Sequence, residues 1–108
     1  MEVNSILNDE KGVVIVKANG RIDSYTFSFF ENEIFTNIDI GQNKVIVDFT
    51  EVSYISSQGL RTLVSALKKS KAQGGFLKLF GLNESVKKIL AVAGLDKVIP
   101  IYSDLDTA

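Results

Sequence analysis

One stretch of the sequence decides the fold: residues 45–60 read VIVDFTEVSYISSQGL. Residues 45–49 are mostly apolar and β-branched, which predicts a buried strand over 44–49. A short polar loop then brings Ser56 and Ser57 to the start of a helix. A hydroxyl there lies among unpaired backbone N–H groups at the positive end of the helix dipole, so an attached phosphate would be stabilised. The stretch therefore predicts a strand–loop–helix unit with a candidate phosphorylation site.

Periodicity places the other elements around this unit. Apolar residues at 60, 63, 64 and 67 have the i, i+3, i+4, i+7 spacing of an amphipathic helix, which Gly74-Gly75 ends. A strand over 76–80 follows, then a helix that Asn83 caps and Gly94 ends, and a last strand over 98–102 with Pro100 at an edge. Residues 104–108 are expected to form a tail or a helical turn.

The N-terminal part predicts a hairpin and one more helix. Residues 2–8 alternate loosely, and residues 13–18 form a β-branched run that ends at Asn19-Gly20. A helix over about 25–38, capped by Asp23 or Ser24, would then bury a stripe of four apolar residues, at 27, 30, 34 and 38. Right-handed crossovers between the later strands give a parallel sheet, to which the hairpin adds. We expect a single α/β domain over 1–108, with a mixed sheet of four to five strands and helices mainly on one face.

Composition excludes several classes of function. The chain has 108 residues, a formal net charge of -1 and neither His nor Cys. It therefore lacks the common zinc ligands, the cysteine nucleophile and the imidazole base, and a near-neutral charge does not favour nucleic-acid binding. No phosphate-binding glycine motif and no membrane-spanning run is present. We expect a non-enzymatic cytoplasmic protein without metal or cofactor, and without membrane insertion.

The two serines allow more than one interpretation. Ser57, as the helix cap, would place its oxygen near the N–H groups of Gly59 and Leu60, and Ser56 could be the cap instead. Either serine could be an ordinary cap rather than a regulatory site. Gly59 weakens a helix start, so a close approach of another chain or of a neighbouring strand is expected there.

Four further residues are candidates, and two of them, Asp48 and Asp23, are expected at the same edge of the sheet. Asp48 is expected to accept N–H bonds from its loop or to cap the turn through Thr50, because no acidic cluster suited to magnesium accompanies it. Asp23 would reach the edge where Ser57 lies. Tyr25 and Phe29, if helical, would form an exposed aromatic pair that either contacts a partner or covers a sheet edge.

The order and spacing of several motifs resemble a known family. The motifs are GRID at 20–23, VIVDF at 45–49, VSYISSQGL at 52–60, Gly74-Gly75 and AGLDKV at 93–98. Over nearly the whole length the chain is similar to a STAS domain of the bacterial anti-sigma factor antagonist type. The resemblance implies that an anti-sigma factor that is itself a serine kinase phosphorylates Ser57, with Ser56 as a second candidate acceptor. The unphosphorylated form would bind the kinase and free the sigma factor, and a serine phosphatase would reset the phosphorylated form.

Two positions depart from the family pattern. Ser56 stands where the family has an aspartate, and Gln58 stands where it has a small residue. The alternative is therefore a STAS docking subunit of another assembly, such as a lipid transporter or a stress-sensing complex, that is not phosphorylated. The partner-binding residues are expected at 23, 25, 29, 56–59 and 61, that is, Asp23, Tyr25, Phe29, Ser56, Ser57, Gln58, Gly59 and Arg61. The oligomeric state and the sigma pathway stay open.

Overall fold

A computed structural model describes all 108 residues, as a five-stranded sheet with three helices. None of the helices has the length and apolar character that crossing a membrane requires. In chain order the elements are β1 Val3–Asn8, β2 Val13–Ile22, α1 Phe27–Asp39, β3 Lys44–Ile55, α2 Ser57–Ala72, β4 Phe76–Phe80, α3 Glu84–Val92, a 3-10 turn Leu95–Lys97, and β5 Ile101–Tyr102.

The strands lie in the sheet in the order in which they occur along the chain. β1 pairs antiparallel with β2, and every later neighbour pair is parallel. A helix connects each parallel pair, because parallel neighbours require a crossover. The predicted α/β fold with a mixed sheet is confirmed.

The three helices pack on one face of the sheet, as predicted. Alternate strand residues and the apolar helix stripes form one buried cluster, whose helical members are Phe30, Ile34, Ile38, Leu63, Ala66, Leu67, Val86 and Leu90. The opposite face carries a small second cluster of Val13, Ile46 and Phe80, against which Leu105 and Ala108 of the C-terminal turn pack. The tail expected at 104–108 therefore covers part of the sheet face that has no helix.

The two central strands extend beyond their predicted ends. β2 continues through Gly20 to Ile22, with shifts of register near this glycine, whose φ is +87°. β3 continues to Ile55, and in its second half Val52 and Ile55 are buried while Thr50 and Ser53 face solvent. The exposed polar residues in this half of β3 resemble a loop in the sequence, which is why β3 appeared to end early.

Two other element boundaries also differ from prediction. α1 begins at Phe27 with Thr26 as its N-cap residue, so neither Asp23 nor Ser24 caps the helix. The last strand is shorter than expected, since the N–H groups of Val98 and Ile99 donate back to Leu95 O at 3.1 and 2.9 Å. These two residues belong to the turn after α3, and only Ile101–Tyr102 pairs with β4.

Candidate functional site

The start of α2 lies at the end of β2. Ile22 is in register with Ile55, and the backbone N–H of Ser56 donates to Ile22 O at 2.7 Å. Asp23, the next residue after β2, is thereby brought to the same edge of the sheet as Ser57. This placement is the one that the sequence predicted, and it agrees with the general position of sites beyond the carboxyl ends of parallel strands.

The two adjacent serines have different environments. Ser56 is the N-cap of α2: its Oγ accepts the N–H of Gly59 at 3.3 Å, and only 8% of its surface is exposed. Ser57 is the first helical residue, is exposed, and makes no side-chain hydrogen bond within the chain. Of the two capping assignments that the sequence left open, the one to Ser56 is confirmed and the one to Ser57 is wrong. A hydroxyl free of the cap remains available for chemistry, so the correction leaves Ser57 as the accessible serine of the pair.

Gly59 is required by close packing beneath the loop. A Cβ at this position would lie 2.6 Å from Ile55 Cγ1 and 2.8 Å from Ile22 Cγ2. Both contacts are far shorter than van der Waals separation, so no side chain fits. The close approach of a neighbouring strand, one of the two predicted reasons for this glycine, is confirmed. Gly59 is buried and therefore offers a partner no side-chain surface.

The next helical turn joins α2 to α1 on one side and exposes a cation on the other. Thr62 is buried, and its Oγ1 bonds both to Gln58 O at 3.1 Å and to the Glu31 carboxylate of α1 at 2.9 Å. The Gln58 side chain is half-buried beside this link. Arg61 is exposed one turn after Ser57, and side chains four apart share a helix face. The N-terminal face of α2 thus presents a free hydroxyl with a guanidinium nearby.

Asp23 organises the turn between β2 and α1. Its Oδ1 accepts the N–H groups of Tyr25 and Thr26 at 2.9 and 3.1 Å, and Arg21 Nε lies 3.8 Å from Oδ2. The hydrogen bond from the Tyr25 N–H is the main reason that the pKa of the Asp23 carboxyl lies below its ordinary value of 3.8. The residue is therefore ionised at neutral pH and caps a turn rather than the helix.

The structure separates the two aromatic candidates. Tyr25 lies in the turn before α1 with 88% of its surface exposed, so the helical pair expected with Phe29 does not form. Phe29 is on α1, one turn before Glu33, and Glu33 hydrogen-bonds to Ser5 of β1. Glu31, in contrast, contacts α2. Phe29 therefore lies on the flank of α1 that faces β1, away from Ser57.

Asp48 lies inside β3, and its contacts are local. Its Oδ1 accepts the N–H of Thr50 at 2.8 Å and the Thr50 hydroxyl at 2.6 Å, which are the bonds that the sequence predicted. The end of β3 lies roughly 23 Å further along the strand, at about 3.3 Å per residue. Asp48 is therefore remote from Ser57, contrary to the expected edge position, and no group of three or more acidic side chains converges as a metal site.

An apolar cleft beside the start of α2 was not foreseen from the sequence. An open cleft of about 440 Å³ is lined by Leu60 of α2, by Ser85, Lys88, Ile89 and Val92 of α3, and by Ala93 at the end of α3. Val92 is 85% exposed. The apolar spacing of Leu60 predicts a core position, so the exposed Val92 is the one signal of the cleft in the sequence. The cleft begins three residues after Ser57 and extends the candidate surface across α2 and α3.

Comparisons with known proteins agree with this geometry. A family model described as the STAS domain matches residues 5–108. The anti-sigma-B factor antagonist of Bacillus subtilis strain 168 is 30% identical over 101 residues, which cover 94% of this chain and 92% of that protein. The crystal structure of TM1081 from Thermotoga maritima has a TM-score of 0.90 at 27% identity, covering 97% of this chain and 89% of that one.

The Bacillus cell fate determinant SpoIIAA has the same fold at lower identity. Its unphosphorylated form superposes with a TM-score of 0.81 at 18% identity, covering 98% of this chain and 92% of that one. Its phosphorylated form gives a TM-score of 0.73 at 17% identity, covering 98% and 96%. Because the family model spans nearly the whole sequence and the fold agrees, this chain belongs to the STAS domain family.

Proposed function

We propose that this protein is an anti-sigma factor antagonist whose binding is switched off by phosphorylation of Ser57. The observation that carries the proposal is the contrast between the two serines: Ser57 is exposed and unbonded at the start of α2, while Ser56 is buried as the cap. The names of relatives such as the Bacillus subtilis protein support the same assignment. The proposed partner is an anti-sigma factor that is also a serine kinase, and its capture releases the sigma factor.

The proposed docking surface centres on the start of α2. Ser57 and Arg61 provide its polar part, with Asp23 and Gln58 at its border. The cleft lined by Leu60 and the exposed end of α3 provides its apolar part. An apolar centre with a polar rim is the usual composition of a protein–protein interface, and a partner that covers both parts would desolvate the Ser57 hydroxyl.

Phosphorylation would change the charge of this surface without refolding it. The kinase would transfer the γ-phosphoryl group of ATP to Ser57 Oγ: the new P–O bond replaces the bond to the β-phosphate, ADP leaves, and the hydroxyl proton is released. The product adds nearly two negative charges beside an apolar cleft. Burying that phosphate under a partner costs desolvation energy, so the complex would dissociate. A serine phosphatase would restore the hydroxyl by hydrolysis.

Phosphate incorporation tests the proposed acceptor directly. The protein is incubated with the candidate kinase, ATP and magnesium, and the intact mass is measured. We expect one added phosphate, mapped to Ser57 by fragmentation, and none in Ser57→Ala. Ser56→Ala is the matched control and should still be phosphorylated. A phosphate on Ser56, or unchanged phosphorylation of Ser57→Ala, would contradict the assignment.

The alternative role as an unphosphorylated docking subunit is favoured by one feature, the half-buried Gln58 where the family has a small residue. Gln58 follows the acceptor in the chain, and a larger residue there would restrict the space available to a kinase. In that case the intact mass would stay unchanged with each candidate kinase. The Ser57→Asp variant would then retain its partners in a pull-down from the native cell.

A further inference from the structure

The β1 edge of the sheet carries a row of unpaired backbone groups. The backbone N–H of Asn19 on β2 donates to Glu2 O at 3.2 Å, just before β1 begins. This bond fixes which residues of the antiparallel pair are joined by hydrogen bonds and which are not. Hydrogen-bonded and non-hydrogen-bonded pairs alternate along an antiparallel ladder. The backbone N–H and C=O groups of Asn4, Ile6 and Asn8 therefore point to β2. The N–H and C=O groups of the intervening residues, Val3, Ser5 and Leu7, point outward.

β1 has none of the features that usually prevent an edge strand from pairing. Its six residues, VNSILN, include no charge and no proline, and its register with β2 is unbroken by a bulge. The opposite edge of the sheet is different, since β5 has only two residues. The β1 edge is therefore the one available for strand addition.

One flank of α1 lies over this edge. The side chains of Glu33 and Asn37 both hydrogen-bond to the Ser5 hydroxyl, with the Asn37 bond at 2.8 Å. Helical spacing places Phe29 and Ile40 on the same flank. We call this surface the β1–α1 flank, and it consists of Val3, Ser5, Leu7, Phe29, Glu33, Asn37 and Ile40.

The β1–α1 flank concentrates exposed apolar side chains. Of the eight large hydrophobic residues that are exposed in the chain, three belong to it: Leu7, Phe29 and Ile40. Its one charged side chain, Glu33, is bonded to Ser5. A surface that is depleted in charge and enriched in exposed apolar groups has the composition of an interface core.

The residues of this flank are arranged symmetrically about Ser5. Val3 and Phe29 lie at one end, Leu7 and Ile40 at the other, because β1 is antiparallel to β2 and α1 runs back from the end of β2. We propose that β1 pairs antiparallel with β1 of a second copy of this chain, around a two-fold axis at Ser5. Each outward residue then meets an outward residue, Val3 opposite Leu7 and Ser5 opposite Ser5, and each pair makes two hydrogen bonds.

The dimensions of the flank set the strength of this dimer. β1 and α1 are each about 20 Å long and lie about 10 Å apart, so the flank offers about 200 Å² on each copy. Stable complexes bury about 800 Å² on each partner. The dimer is therefore weak and reversible, and it forms as the protein concentration rises. It uses the flank of α1 opposite to α2 and so leaves Ser57 accessible.

Two measurements on the unmodified protein test the dimer. Sedimentation equilibrium should show a monomer at low concentration and a two-fold increase in mass on approach to millimolar concentration. Amide hydrogen exchange followed by NMR should show new protection of Val3, Ser5 and Leu7 in the same range. Asn4, Ile6 and Asn8 should be protected at every concentration. A monomer throughout, or a dimer in which the three outward amides still exchange freely, would overturn the proposal.

A pair of charge substitutions at exposed apolar positions tests the surface. Leu7→Lys puts a cation on the edge strand and should weaken dimerisation at least tenfold. Val98→Lys, in the turn after α3, is the matched control and should leave dimerisation unchanged. Equal effects of the two substitutions would contradict the proposal. These measurements use neither a kinase nor phosphorylated protein. Their outcome is therefore independent of the function proposed for Ser57.

Discussion

At the scale of single residues, Ser56 and Ser57 are neighbours with separate tasks. The Ser56 side chain satisfies a backbone N–H of the first helical turn, while the Ser57 hydroxyl is left without a partner in the chain. Serine and aspartate are about equally good N-caps. Ser56 therefore caps the helix as an aspartate would, but without placing a negative charge beside the proposed acceptor.

Replacement of the cap should lower stability without removing the acceptor. We expect Ser56→Ala to reduce the free energy of unfolding by about 1 kcal/mol, since the Gly59 N–H loses its partner. Urea denaturation measures this change. Ser56→Asp is the matched control and should unfold near the wild-type midpoint. If Ser56→Ala is as stable as wild type, the capping bond contributes nothing.

Gly59 should not tolerate even a methyl group. We expect Gly59→Ala to lower the free energy of unfolding by about 1–3 kcal/mol, because the added Cβ overlaps Ile55 and Ile22. Alanine is intrinsically the better helix former by about 1 kcal/mol, so the opposite sign would follow if the contact were relaxed easily. Thermal and urea unfolding decide between these outcomes. Ser65→Ala, at an exposed position of the same helix, is the control and should not be destabilising.

At the scale of elements, α2 has a charge distribution that suits a switch at its start. No acidic residue lies in its first turn, and Lys69 and Lys71 lie in its last turn. The positive end of its dipole is thus uncompensated by any side chain of that turn. A negative group on Ser57 would interact favourably with this helix end and with Arg61, although it would hinder a partner.

Helix stability and partner binding should therefore respond oppositely to negative charge at Ser57. We expect Ser57→Asp to raise the free energy of unfolding by about 0.5–1 kcal/mol at low salt, and less at high salt. Denaturation at two ionic strengths measures this. Ser65→Asp, in the middle of the same helix, lacks the interaction with the helix end and should not be stabilising. A Ser57→Asp variant that is less stable than wild type at low salt would argue against the electrostatic account.

The turn from β2 to α1 should lose stability in acid. The pKa of Asp23 is lowered in the folded protein, mainly by the Tyr25 N–H, so its contribution is present above the ordinary pKa of 3.8 and is lost as the pH falls through the lower folded value. The stability difference between wild type and Asp23→Asn should shrink below about pH 4. Urea denaturation over pH 2–7 measures it, and a difference independent of pH would contradict this role.

The sequence predicted helices better than strand ends, for physical reasons. The sequence predicted α2 from the period of its apolar residues. It also predicted the cap at Asn83, whose Oδ1 accepts the Val86 N–H at 2.8 Å. The extension of β3 was missed because Thr50 and Ser53 face solvent and resemble loop residues. Which serine caps α2 depends on a shift of one residue, which spacing alone does not determine.

At the scale of the whole molecule, the order of elements was sufficient to predict a mixed sheet with its helices on one face. The residues that cover the other face of the sheet were harder to predict from the sequence. Leu105 packs there within a short polar tail, held by a bond from Lys11 Nζ to Leu105 O at 2.9 Å, a contact between residues far apart in sequence. The apolar cleft between α2 and α3 likewise arises only when two helices are brought together.

The most direct test of the proposed switch is the affinity of one partner for two forms of the same protein. Isothermal titration of the candidate kinase with unmodified protein and with protein phosphorylated on Ser57 compares them under identical conditions. The account predicts a loss of affinity of at least tenfold on phosphorylation, about 1.4 kcal/mol, with the fold retained in the NMR spectrum. Equal affinity of the two forms would contradict it.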